Sequence, residues 1–122
     1  MSYIFQTSVS HLCGNGMIEM LEVLEDVPHL DYNIPDNEGY APLHYAAQAG
    51  HVEVVSFLLN KVRTIQVDPC NHQGFTPLMK AALQGRIKCS KLLLFSGKNM
   101  SYFWRGNSKL LHEQCCKIVL FD

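Results

Sequence analysis

Neither sign of charge is in excess in this chain of 122 residues: ten basic side chains stand against eleven acidic ones, a net charge of −1. That balance leaves no electrostatic footprint of a nucleic-acid binder. Unbroken apolar runs fall far short of the roughly 18 residues that suggest a membrane span. The opening MSYIFQTSVSHLCGNG has neither the basic start nor the long apolar centre of a secretory signal. The expected location is therefore intracellular, cytoplasmic or nuclear, with no membrane and no nucleic acid as partner.

Catalytic signatures are also missing. There is no Gly-rich phosphate loop, no nucleophile elbow and no paired carboxylates in a defined setting. Asp31, Asp36 and Asp68 fall in turns or connectors and read as backbone-bonding residues. No enzyme, no cofactor and no small-molecule substrate is expected. Five cysteines are an odd number, so a disulfide framework would leave one thiol over. Cys115 and Cys116 are adjacent and cannot readily bridge each other. His112 beside them lacks the second ligand pair of a zinc site, so no metal is expected.

Repetition is what the chain does have. Residues 36–59 read DNEGYAPLHYAAQAGHVEVVSFLL, and residues 71–94 read NHQGFTPLMKAALQGRIKCSKLLL. Gly39, Pro42, Leu43, Ala46, Ala47, Gly50, Leu58 and Leu59 recur 35 positions later as Gly74, Pro77, Leu78, Ala81, Ala82, Gly85, Leu93 and Leu94. A fixed offset of this size marks one supersecondary unit stacked on its neighbour. A fainter copy lies upstream, with Gly16 set 34 residues before Gly50 and GMIEMLEVLE overlaying GHVEVVSFLL. There Thr7-Ser8-Val9 stand for Ala41-Pro42-Leu43, and Leu12-Cys13 for the alanine pair. In that register Cys13 and Cys89 are small core residues.

The local chemistry predicts paired helices. Gly39 and Gly74 sit in polar turns that need a positive φ. Thr76 can cap a helix, and Pro77 fits its first position. Gly85 ends that helix in a left-handed cap. Apolar residues at helical spacing (Val52, Val55, Leu58 and Leu59, then Ile87, Leu92, Leu93 and Leu94) form the second helix. Helix pairs are expected near 8–14 and 18–26, 42–49 and 52–61, and 77–84 and 87–96.

This motif, G-x-[TA]-P-L-x-x-A-A-x-x-G followed by an apolar helix, resembles the ankyrin repeat. The block GFTPLMKAALQGR is also similar to vertebrate photoreceptor ankyrin-repeat proteins. The resemblance implies an all-α solenoid: a degenerate repeat at about 5–35, repeats at about 36–70 and 71–99, and a tail at 100–122. Ser108 could start a capping helix near 109–119 in that tail; an unrelated end is the other reading. Between Leu59 and Asn71 the chain inserts two residues, either a longer connector or a contact loop around Arg63 and Ile65.

Each full copy departs from the family's T-P-L-H in one place. His44 lacks its threonine, which is Ala41, and Thr76 lacks its histidine, which is Met79. On this reading the side-chain bond between the two is lost in both, and His44 is left as a partly buried residue with another partner.

As to function, the resemblance implies a non-catalytic scaffold or adaptor that binds another protein through turn tips and the inner face of the short helices. The matching residues are Asn37, Glu38, Tyr40, Tyr45, Gln48 and Ala49 in one copy, and His72, Gln73, Phe75, Lys80, Leu83 and Gln84 in the next. Tyr40 and Phe75 would be anchors if exposed, or packing between adjacent turns if not. A truncated or splice form of a longer ankyrin-repeat regulator is the alternative.

Overall fold

The computed structural model describes residues 2–96 and Lys117, with side chains from Ser8 onward. Among residues 2–96 six helices follow one another: α1 (Ser2–Gly14), α2 (Ile18–Leu24), α3 (Pro42–Ala49), α4 (Val52–Lys61), α5 (Pro77–Leu83) and α6 (Ile87–Leu94). No strand occurs among the described residues. The tail at 100–122, with the capping helix expected near 109–119, lies outside them apart from Lys117.

The starts of α2 to α6 are where the sequence set them, and α2, α5 and α6 end one or two residues earlier than expected. Pro42 and Pro77 occupy first-turn positions, and the Thr76 hydroxyl accepts a hydrogen bond from the Met79 N–H at 3.2 Å. Gly50 closes α3 with φ +83, and Gly16 and Gly85 hold the same left-handed geometry. Gly16 lying in that register supports the degenerate copy as a true repeat. α1 runs back to Ser2, well beyond its expected start near residue 8.

Packing follows from the repeat. α3 lies between α1 and α5, and α4 lies between α2 and α6. Val9, Leu43 and Leu78 occupy equivalent positions and are all buried, as are Cys13, Ala47 and Ala82. Side chains this small at Ala46, Ala47 and Ala81 let neighbouring helices approach closely; large ones there would overpack. Burial pushes the Cys13 thiol up to about 12, so it behaves as a small apolar residue rather than a nucleophile.

The inserted connector is a packing element. Val62, Ile65 and Val67 are buried in the core, while Arg63 points to solvent. Asn33 ties it to the previous repeat: its Nδ2 donates to the Thr64 carbonyl and its Oδ1 accepts from the Gln66 N–H, both at 2.8 Å. A contact loop displaying Ile65 is therefore excluded.

His44 corrects the sequence reading most sharply. It is fully buried. Its Nδ1 accepts the Ala41 N–H at 3.0 Å, and its Nε2 donates to the Phe75 carbonyl of the next repeat at 2.8 Å. The loss of threonine thus removes only half of the capping arrangement. The half that remains ties two repeats together.

Ala41→Thr should restore the missing half. The equivalent Thr76 is accommodated fully buried, and a hydroxyl at 41 would accept the His44 N–H. Thermal unfolding should show a gain of about 1 kcal/mol. An unchanged or lower melting temperature would mean the site cannot take the extra atoms.

Candidate functional site

The turn tips are built from an Asp or Asn that folds its own backbone. Asp36 Oδ1 accepts the Glu38 N–H at 3.0 Å and the Tyr40 N–H at 2.9 Å. Asn71 Oδ1 does the same for Gln73 and Phe75, both at 2.9 Å. Adjacent tips are then joined, the His72 N–H donating to the Glu38 carbonyl at 3.1 Å. Asp31 likewise accepts its own loop's Asn33 N–H, at 2.8 Å. Asp68 differs: its Oδ2 is buried with no hydrogen-bond partner.

The second carboxylate oxygen of Asp36 accepts the Tyr45 hydroxyl. Burial opposes the charge on Asp36. The Tyr45 hydroxyl and the two backbone N–H groups outweigh it and hold the carboxyl below its ordinary range. Tyr45 is pushed the other way, upward, by burial and by that carboxylate. The pair is therefore an ionised carboxylate and a neutral phenol, and both residues line a groove.

That groove has a cavity of about 620 Å³ between α1 and the 34–38 tip. Ser10, His11, Gly14 and Asn15 line one wall; Ile34, Pro35, Asp36, Asn37 and Glu38 line the other, with Tyr45 between. Of the residues read from sequence, it brings together Asn37, Glu38 and Tyr45. The α1 wall and Asp36 were missed. The signal for the wall was present: the 34-residue register carries Tyr45, Gln48 and Ala49 onto His11, Gly14 and Asn15.

In the next repeat the same positions carry different chemistry. Asn71 replaces Asp36 and Lys80 replaces Tyr45, so the carboxylate–phenol pair has no counterpart there. The Asn71 Nδ2 is buried without a partner. Lys80 instead places its ammonium 5.2 Å from the Tyr40 ring centre and 4.8 Å from that of Phe75. Both rings are half-buried, and Tyr40 also packs on the His44 and Tyr45 rings at 5.6 and 5.4 Å. His72, Gln73, Leu83 and Gln84 are exposed; Gln48 and Ala49 are half-buried and lie outside the groove lining.

One bond repeats along the stack. The residue after each helix-ending glycine reaches back to the preceding repeat: His51 Nε2 donates to the Gly14 carbonyl at 3.0 Å, and Arg86 Nε donates to the Gln48 carbonyl at 3.2 Å. Gly14 and Gln48 are themselves equivalent positions. These bonds tie each repeat to the one before it. Among the described residues no group of His, Cys, Asp and Glu could hold a metal ion, and no helix is long and apolar enough to cross a membrane.

Comparison with known proteins agrees with this architecture. The family described as ankyrin repeats, in three copies, matches residues 9–102. The human SMC5-SMC6 complex localization factor protein 1 is 34% identical over 96 residues, covering 75% of this chain and 9% of that protein. XBAT31 of Arabidopsis thaliana, named as an E3 ubiquitin-protein ligase, is 36% identical over 116 residues, 88% of this chain and 25% of its own length. The human photoreceptor ankyrin repeat protein is 38% identical over 81 residues, 66% of this chain and 18% of its own. The chain thus spans a quarter or less of each.

Proposed function

Because this chain belongs to the ankyrin-repeat family, an interaction fold and not a catalytic one, we propose that it binds a segment of another protein in the groove between α1 and the 34–38 tip. The observation that carries this reading is the cavity lined by the hydrogen-bonded Asp36–Tyr45 pair. A site held this rigidly costs little ordering entropy on binding. Its charged wall is acidic, with Asp36 ionised and Glu38 exposed, so it favours a segment that brings a donor or a cation. Localising the SMC5-SMC6 complex or acting as an E3 ubiquitin-protein ligase belongs to the longer relatives by name; for this chain the proposal is partner binding alone. A nuclear site of action is part of it, by analogy with the human localization factor.

The test is affinity capture from cells with wild type beside Glu38→Arg. Glu38 is exposed and its backbone alone takes part in folding contacts, so the variant should melt like wild type. Tyr40→Ala is a poorer probe because that ring packs on His44. A partner held by wild type and lost at least tenfold in Glu38→Arg supports the groove. Equal recovery from both would place binding elsewhere.

A further inference from the structure

A second surface lies at the opposite side of the first repeat, on α2. Met20 and Val23 are 49% and 66% exposed. Their register equivalents one repeat later, Val54 and Phe57, are only 1% and 7% exposed because a preceding repeat covers them. Met17 and Val27 extend the same exposed apolar surface. Among the described residues these stacking positions of the solenoid have no stacking neighbour. The surface is flexible in shape as well, since methionine adapts to irregular partners.

Charge says what fits it. Residues 17–27 contain Glu19, Glu22, Glu25 and Asp26 and no Lys or Arg, and all four acids are exposed. On the helix, Glu19 and Glu22 form a ridge along one edge of the apolar stripe. Two copies of this face would bring like charges together, which disfavours self-association through it. We propose that this face docks an amphipathic helix of a partner protein, with an apolar stripe seated on Met20 and Val23 and Lys or Arg residues along the flank that meets Glu19 and Glu22. The mode is helix against helix, as α4 already lies against α2. It is independent of the groove.

A fluorescein-labelled 18-residue Leu/Lys peptide, amphipathic when helical, is the probe, with a Leu/Glu peptide of the same pattern beside it. Anisotropy should show the Leu/Lys peptide binding wild type at least tenfold tighter than Met20→Ser/Val23→Ser and than Glu19→Lys/Glu22→Lys. The Leu/Glu peptide should not bind, and Glu38→Arg should bind like wild type. Equal affinity across the α2 variants, or loss in Glu38→Arg instead, would overturn the proposal. So would sedimentation showing wild-type dimers that the serine variant abolishes, because a second copy would then be the occupant. A lower melting temperature in the serine variant would also overturn it, since the stripe would then be packed by the chain itself.

Discussion

Replacing His44 with alanine is expected to lower the unfolding free energy by about 3–5 kcal/mol, a large part of what a domain of this size has. The substitution leaves a cavity, orphans the Ala41 N–H, and leaves the Phe75 carbonyl with only the Asn71 N–H of its two donors. Wild type should also be acid-sensitive through the same ring. Burial, partly opposed by the bond to Phe75, holds the His44 pKa below its ordinary value of 6.5. The native state therefore binds fewer protons than the unfolded chain once the pH is below that value. Stability from this group is complete above about pH 6.5 and declines as pH falls through the depressed folded pKa. Protonation would also destroy the acceptor for Ala41. Urea titrations from pH 7.5 to 5 should show wild type weakening and His44→Ala nearly flat over the same interval. Parallel pH profiles would mean His44 is not buried and neutral.

The second large effect is expected at Gly39. Its φ is +86, and an added Cβ would stand 2.9 Å from the Asn71 Cα and from the His72 backbone nitrogen. Neither neighbour can rotate away. Gly39→Ala must therefore strain its own backbone and push apart the two tips joined by the His72–Glu38 bond. Gly85, at φ +71, has nothing within 4 Å of the same added atom, so Gly85→Ala carries only the backbone cost of about 1–2 kcal/mol. Gly39→Ala should cost more than Gly85→Ala by at least about 1 kcal/mol, on the scale of overpacking penalties. Gly50 falls between them, because its nearest contact, Arg86 Cδ at 2.7 Å, is on a flexible side chain. Equal losses at Gly39 and Gly85 would show that the tips are not in contact.

Much of this fold was legible because the repeat writes each boundary with a residue that has one physical use. Pro42 and Pro77 start helices, Gly50 and Gly85 follow their ends, and Leu43 and Leu78 return to the core at the same offset. Where such punctuation is absent the reading was weaker. Nothing marks the start of α1, and it extends six residues beyond the expected boundary. The fate of His44 was not legible. Its loss of a threonine partner could be seen, but its second nitrogen meets a carbonyl 31 residues away, a contact that no local pattern encodes. The groove shows the same division. Asn37, Glu38 and Tyr45, expected from the sequence as partner-binding residues, all line it, whereas the wall from α1 depended on trusting a degenerate copy whose proline and alanine pair are gone.

The most direct test of the groove is an NMR titration of the labelled chain with the binding segment of the captured partner. Binding in the groove predicts amide shifts concentrated at His11, Asn15, Asn37, Glu38 and Tyr45, with α4 and α6 nearly silent. Shifts confined to α4 and α6, or spread evenly over the chain, would contradict it.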